Sequence, residues 1–514
     1  MTMIRSALVS RSLSLSSSRR LLSSQAVALA ESTSTKTGAP SSAYSIPTGS
    51  ASIGQAGVVI RDVGCTRRIF LMDPHLSADE IEGLAFRIKM LTKNLALNSV
   101  FIATSNDDDT ATGALPSSAV EMGRFGQDVD EDHFHPDDSV FHVAGGYDAL
   151  QIAMSGKYKD DASMQQLLDG LADLALATRG NARETLIPVI TLPHGLVNDG
   201  GYALCMGGFV LATPDTCFKV TNPSKGLSLD PIGLSFILPR LGWEFQQPSA
   251  EYTGCGLILA LTGMEANASD MMETGLATHY MDNASTVSMM ERALSELPPW
   301  DQQNLLRKHP RFYGHPARQD DVNSQYRNVA VANLVHSFCQ YNIEGKDVFT
   351  NRESDFRVDD DPSVDLDYTN IHVDRQSDLV NYAATFDVVF REEQTVLGIM
   401  ERLHEISERE SLDQEEMEGI AVAKDLYERM QRQSPLALSV VYSLMQLGAK
   451  KGESLESCME REKRAQLKMF QLEDFDNWAH QHAPSAQEED IFTGWKHKAL
   501  ADVSQEQVDE IIGS

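Results

Sequence analysis

Apolar residues along this chain fall into two rhythms. Where they crowd into short β-branched or aromatic runs bounded by turn residues, the pattern predicts strands. Val58-Val59-Ile60 and Ile69-Phe70-Leu71 predict an opening hairpin, Val100-Phe101-Ile102-Ala103 the next strand, and Val189-Ile190-Thr191-Leu192 a buried one. Where apolar residues recur every three or four positions, the pattern predicts helices. Ile81, Leu84, Ala85, Ile88 and Leu91 make one such face. Ser77, with Glu80 three positions on, reads as a capping box at its start. Leu167, Leu168, Leu171, Leu174 and Ala175 make a second face within 162–179. Further helices are predicted over 265–278, 329–339 and 415–430, and another begins at Ser434-Pro435. The β-β-α-β opening and the helical close indicate an α/β fold with a helical C-terminal region.

Residues 186–241 organise the rest. The strand at 189–192 ends in Pro193-His194-Gly195. Asn198-Asp199-Gly200-Gly201 then precedes the small apolar segment Tyr202-Ala203-Leu204-Cys205-Met206, which is expected to open a helix. Glycines at such a place let main chain approach a ligand closely, and the first N–H groups of a helix have no partner within it. Those donors suit an oxygen that gains negative charge during acyl chemistry. A tight turn without a ligand would use the same residues.

The order of these features resembles the crotonase (enoyl-CoA hydratase/isomerase) superfamily, and within it the 3-hydroxyisobutyryl-CoA hydrolase branch. The resemblance rests on one collinear run: Pro188-Val189-Ile190, His194-Gly195, Gly200-Gly201, Leu211-Ala212-Thr213, Phe218, Gly226-Leu227, Asp230, Leu238-Pro239-Arg240-Leu241 and Gly275-Leu276-Ala277-Thr278-His279. It implies a crotonase-like ββα spiral core. It also implies that the N–H groups of Gly146 and Gly200, beside Gly145 and Gly201, hold the oxygen of a thioester. Here Tyr147 intervenes between the glycine pair and Asp148.

The resemblance aligns Asn222 with a glutamate of the hydrolases and Asp230 with an aspartate. A carboxylate at the first position would take a proton from water. The Asn222 carboxamide can only orient water or substrate, and the residue is otherwise a turn residue before Pro223. Asp230 is a candidate base, an anchor for a substrate hydroxyl, or a turn aspartate before Pro231. The branch also takes an acid from the helix over 162–179; the ungapped register gives Ala175 there, with Asp173 nearest. Ala203 replaces the acid that hydratases and isomerases place after the glycines, which disfavours those activities. His194 reads as structural.

Composition adds organisation. Arg5, Arg11, Arg19 and Arg20 lie among serines and leucines with no acid before Glu31. That is the composition of a transit peptide, mitochondrial in preference to plastid. The expected divisions are a transit peptide at 1–35, a linker at 36–52, a crotonase-like core at 53–284 with an acidic insertion at 105–139, an inserted segment at 285–380 and a helical C-terminal region at 381–514. Lys and Arg number 43 against 74 Asp and Glu, a net charge of −31. This disfavours direct nucleic-acid contact, and no apolar run is long enough to span a bilayer. Six scattered cysteines in no CxxC spacing indicate neither a zinc site nor a disulfide framework. His133-Phe134-His135 has metal-binding residue types but no matching third cluster, so no metal is expected. No cofactor is expected either; coenzyme A would arrive as the substrate thioester. Two functions stay open. The preferred one, implied by the resemblance, is a mitochondrial acyl-CoA thioester hydrolase of the kind used in valine breakdown, slowed by the missing glutamate. The other is a catalytically impaired relative with a structural role, such as a mitochondrial ribosome-associated subunit. The corresponding partners are an acyl-CoA, and a homo-oligomer or a mitochondrial protein complex.

Overall fold

The computed structural model describes residues 58–71, 75–104, 146–180, 187–193, 195–214, 216–241, 254–281, 284–299, 329–339, 341–342, 379, 389–390, 393, 395–411, 414–482 and 494–513. The expected transit segment, linker and 105–139 insertion with His133 and His135 lie outside these residues, as do Gly145 and His194.

The strands are β1 (Val58–Val63), β2 (Thr66–Leu71), β3 (Ser99–Thr104), β4 (Val189–Leu192), β5 (Leu196–Asn198), β6 (Phe209–Ala212), β7 (Cys217–Lys219), β8 (His279–Tyr280) and β9 (Tyr341–Asn342). Seven make one sheet in the order β1-β2-β3-β4-β6-β8-β9, and β5 pairs with β7 in a second. The expected opening hairpin is β1 against β2, antiparallel, turned at Gly64 with φ 58°. From β2 to β8 neighbouring strands are parallel, and β9 returns antiparallel on the edge.

Parallel strands covered on both faces must be apolar on both, with successive side chains on opposite sides. β3 shows this residue by residue. Val100 and Ile102 enter the larger core, whereas Phe101 and Ala103 enter a smaller one behind the sheet. Val189 opposes Ile190 and Leu192 in the same way, and Val210 and Ala212 oppose Phe209 and Leu211.

The helices are α1 (Ala78–Leu91), α2 (Ala149–Ser155), α3 (Asp161–Arg179), α4 (Leu234–Ile237), α5 (Gly254–Thr262), α6 (Ala268–Thr274), α7 (Ala284–Glu296), α8 (Val329–Phe338), α9 (Val396–Ser407), α10 (Gln414–Gln431), α11 (Pro435–Gly448), α12 (Leu455–Phe470), α13 (Glu473–Gln481) and α14 (Gln505–Ile512). α1 starts on the expected capping box: the Glu80 N–H donates to Ser77 Oγ, and the Ser77 N–H donates to Glu80 Oε2 at 2.9 Å. Its Ile81, Leu84 and Ile88 share the large core with Leu167, Leu171 and Leu174 of α3. α10, α11 and α12 bury Leu426, Val440, Leu444 and Met459 in that same core.

α7 and α8 cover the opposite face, where Met290, Leu294, Val331 and Val335 meet Phe101, Ile190 and Leu211. Arg68 of β2 reaches Glu291 of α7 at 2.6 Å. Part of the segment read as inserted, 285–380, thus closes the second face of the sheet, and β9 ends it.

The helix expected after Gly200-Gly201 is instead a 3-10 run, Asp199–Met206. Two glycines make a weak α-helix start. Within the run the Leu204 carbonyl is taken by the Thr191 hydroxyl at 2.8 Å, and Tyr202 donates its own hydroxyl to the Leu276 carbonyl at 2.9 Å.

Candidate active site

The crossing of main chain at Gly146 and Gly200 defines the site. A methyl group on Gly200 would lie 3.6 Å from Gly146 Cα. One on Gly146 would lie 3.3 Å from the Gly201 nitrogen and from Asn198 Oδ1. The two strands of main chain therefore pass side by side. Both glycines are buried. Gly200 is the second residue of its 3-10 run, and Asn198 provides no side-chain cap. At that position the helical ladder offers the N–H no acceptor. Tying the other side in place, the Leu76 N–H donates to the Gly146 carbonyl at 3.1 Å, and Asp148 caps α2 by accepting from the N–H groups of Leu150 and Gln151.

Asp230 borders the same crossing. The methyl position on Gly200 is 3.4 Å from Asp230 Oδ2 and 3.4 Å from Leu171 Cδ2. The carboxylate is fully buried. Its Oδ1 accepts from the Tyr147 hydroxyl at 2.8 Å and from Gln466 Nε2 at 3.0 Å, and Gln466 Nε2 also lies 3.2 Å from the Tyr147 oxygen. Tyr147 packs its ring against Phe470.

The loop that presents Asp230 is fixed at three points. Gly226 has φ 72° and faces Asp474, whose Cβ would be 2.8 Å from any side chain there. Gly233 has φ 87° and lies so close to Leu455 that a methyl would overlap it. Both positions need the left-handed region and the missing side chain. Between them, α12 supplies two side chains one turn apart. Gln466 accepts from the Ser228 N–H at 2.8 Å. Glu462 accepts from the N–H groups of Gly233 at 2.7 Å and Ser235 at 2.6 Å. Burial pushes the Glu462 carboxyl up to about 7; the bonds from Ser235 and Gly233 oppose this, and the nearby Asp230 charge adds to it.

Asn222 sits on the 3-10 turn Asn222–Lys225 and is 1% exposed. Its carbonyl accepts from the Leu227 N–H at 3.0 Å. Its carboxamide nitrogen is buried with no hydrogen-bond partner among the described residues. Such a donor costs free energy unless water or ligand meets it. Lys225 of the same turn acts electrostatically on His75, the residue before Leu76. Burial lowers the His75 pKa, Asp148 opposes this and Lys225 reinforces it. Asp173, the nearest acid of α3 by register, is exposed, and Ala175 is buried in the large core. Asp169 of the same helix is paired with Lys463 at 2.6 Å.

The geometry thus joins Gly146, Gly200, Gly201 and Asp230, and it adds two residues that the sequence did not bring to the site, Tyr147 as a partner of Asp230 and Gln466. Tyr147 carried a signal, since it is the extra residue after Gly146. Gln466 carried none, because 236 positions separate it from Asp230. A cleft of about 680 Å³ opens elsewhere, walled by Leu397, His404, Tyr427, Arg432 and Lys498 among others. Neither the glycines nor Asp230 line it.

Comparison with known proteins gives three findings. The family model for enoyl-CoA hydratase/isomerase matches residues 179–351 and 351–512. Mitochondrial 3-hydroxyisobutyryl-CoA hydrolase of Homo sapiens is 31% identical over 119 residues, which is 23% of this chain and 28% of the human protein. Probable 3-hydroxyisobutyryl-CoA hydrolase 2 of Arabidopsis thaliana is 33% identical over 103 residues, 20% of this chain and 24% of that one. The similarity therefore spans only about a quarter of the length of these curated relatives. Among solved structures, a carnitinyl-CoA dehydratase from Mycobacterium thermoresistibile covers 89% of this chain and 96% of its own, with a TM-score of 0.57 and 16% identity. An enoyl-CoA hydratase from Rhodobacter sphaeroides 2.4.1 covers 89% and 97%, with a TM-score of 0.52 and 15% identity. At these identities the likeness shows the fold, a mixed α/β crotonase fold with a helical C-terminal region. The family match begins at 179, so Gly146 joins the site through geometry rather than through that match.

Proposed function

Because the chain belongs to the enoyl-CoA hydratase/isomerase family, we propose that it binds an acyl-CoA thioester and hydrolyses it slowly, as a divergent relative of the 3-hydroxyisobutyryl-CoA hydrolases. One observation carries this reading: the meeting of Gly146, Gly200 and Asp230 Oδ2 within a few ångströms. The N–H groups of Gly146 and Gly200 hold the thioester oxygen. A water on Asp230 Oδ2 gives its proton to the carboxylate and attacks the carbonyl carbon. The resulting oxyanion is held by the two donors. It collapses by breaking the C–S bond, the electron pair leaves on the coenzyme A sulfur, and Asp230 returns the proton to that sulfur. Asn222 orients water or substrate with its buried carboxamide. With a carboxamide in the place of the second acid, about two to four orders of magnitude in rate are forgone.

A thioesterase assay on a panel of acyl-CoAs tests this. Slow hydrolysis that falls a further hundredfold or so in Asp230→Asn supports it. No hydrolysis of any panel member by folded protein overturns it.

A second reading has its own observation. Carboxylates are missing at both Asn222 and Ala175, and Asp173 is exposed. That favours a relative that keeps the fold for a structural role in a mitochondrial complex, such as a ribosome-associated one. Co-sedimentation with ribosomal subunits, absent for a free enzyme, separates the two. In either case we place the protein in the mitochondrial matrix, on the acid-poor N-terminal composition and on the mitochondrial name of the human relative. Cleavage is expected between about 30 and 50. N-terminal sequencing of protein from isolated organelles checks this, and an intact Met1 there contradicts it.

A further inference from the structure

Asp230 places a carboxylate beside the glycine crossing, and one of its oxygens is already committed. Oδ1 accepts from two donors, the Tyr147 hydroxyl at 2.8 Å and the Gln466 amide at 3.0 Å. A carboxylate oxygen has two lone-pair directions, so these donors use both. Oδ2 is the oxygen beside Gly200. If a thioester lies across Gly146 and Gly200, Oδ2 must serve the attacking water. A substrate bearing its own hydroxyl near the carbonyl would then find no acceptor left on Asp230.

We propose that Tyr147 is a specificity-determining residue whose phenol occupies the place of a substrate hydroxyl, so that the site takes acyl groups without a hydroxyl at C3. This rests on the acyl-CoA reading above and names its substrate class. The geometry of Tyr147 supports it. The residue follows Gly146 directly, so its backbone is placed by the same main chain that would hold the thioester oxygen. Its ring is 9% exposed and packs on Phe470, and Gln466 Nε2 lies 3.2 Å from its oxygen. The phenol is thus held against Asp230 by packing as well as by hydrogen bonding, and a substrate cannot displace it without disturbing α12. A substrate hydroxyl brought there would give up its hydrogen bonds to water without finding an acceptor, which disfavours the hydroxylated acyl group by about ten- to a hundredfold.

The test uses non-hydrolysable ketone analogues of isobutyryl-CoA and 3-hydroxyisobutyryl-CoA, in which a methylene replaces the thioester sulfur and the carbonyl is kept, titrated calorimetrically into the full chain. The wild type should bind the isobutyryl analogue about tenfold more tightly than the hydroxylated one. Tyr147→Phe removes the phenol oxygen, keeps the ring on Phe470 and frees one acceptor direction. It should bind the hydroxylated analogue about tenfold better than wild type does, with the isobutyryl analogue little changed. Adding Asp230→Asn to Tyr147→Phe should cancel that gain. Equal or better binding of the hydroxylated analogue by wild type, or no gain in Tyr147→Phe, overturns the specificity role and leaves acyl-CoA binding standing. If neither analogue binds to wild type or variant, acyl-CoA binding itself fails, and the specificity role with it. A thermal melt of each variant shows that the loss is not unfolding.

Discussion

On the proposed reading, Asn222 and Asp230 divide the chemistry of the site unequally. Asp230 can exchange a proton; Asn222 cannot, and its amide nitrogen is buried without a partner among the described residues. Replacing Asn222 by glutamate would supply a base in a position already enclosed by protein. Hydrolysis of a short acyl-CoA should rise about tenfold or more in Asn222→Glu. Adding Asp230→Asn should remove the gain, because two groups acting on one substrate are not additive. A steady-state assay of the single and double variants reads this, and an unchanged rate in a variant that still binds an acyl-CoA analogue would remove Asn222 from the reacting centre. At this scale the sequence was partly legible. Gly200 and Asp230 could be singled out as candidates because their neighbours form a collinear run. Of Asp230's partners, Tyr147 stood out only as the extra residue after Gly146, with nothing to say that it would reach Asp230, and Gln466, 236 positions away, belongs to no motif.

Between elements, the loop carrying Asp230 depends on α12 more than on its own strand. Gly233 shows this most sharply: with φ 87° and Leu455 against its Cα, it has no room for a side chain. Gly233→Ala should cost about 2 kcal/mol or more, combining left-handed backbone strain with overpacking. Urea unfolding measures it, and a loss below about half a kcal/mol would mean that the loop is not held against α12.

Glu462 adds a pH signature. Its carboxyl is raised to about 7, chiefly by burial, so between about 4.5 and 7 the folded protein keeps a proton that the unfolded chain has lost. Stability from this group is therefore fully present below about 4.5 and is lost as pH rises through about 7, by about 3 kcal/mol in all. Glu291, half-buried against Arg68 and also raised to about 7 by desolvation, has the same sign. Glu462→Gln should accordingly halve the fall in stability across this window rather than abolish it. Denaturant melts at a series of pH values check the slope, and an unchanged slope would show that Glu462 is ionised in the fold. The elements themselves were largely legible: the capping box of α1, the leucine face of α3 and the Ser434-Pro435 start of α11 are local patterns, and each appears where periodicity and capping put it. The 3-10 run at 199–206 was not, because Thr191 and Leu276, which take its polar groups, are distant in sequence.

The molecule is built on a mixed sheet covered on both faces, and at this scale the crotonase-type fold with a helical C-terminal region was legible from the collinear run, while the detail of what covers the sheet was not. The two-sided burial of β3, β4 and β6 is written in their continuous apolar runs. Which segment covers the second face is not, since α7 and α8 lie in a region whose composition reads as an insertion. In the proposed function the large core and the C-terminal helices serve to hold Asp230 against the glycine crossing, through Gln466. That crossing as an acyl-CoA site is the central claim, and Gly200→Ala tests it most directly. Every neighbour of the added methyl lies at 3.4 Å or beyond, an ordinary contact distance, so the fold has room for it. The same methyl would occupy the space between Gly146 and Asp230 that a thioester oxygen must enter. Calorimetric titration of a non-hydrolysable ketone analogue of isobutyryl-CoA, with a methylene in place of the thioester sulfur and the carbonyl kept, should show binding to the wild-type chain and a loss of about tenfold or more in Gly200→Ala, at an unchanged melting temperature. Equal binding to both proteins would contradict the assignment, as would no binding to the wild type.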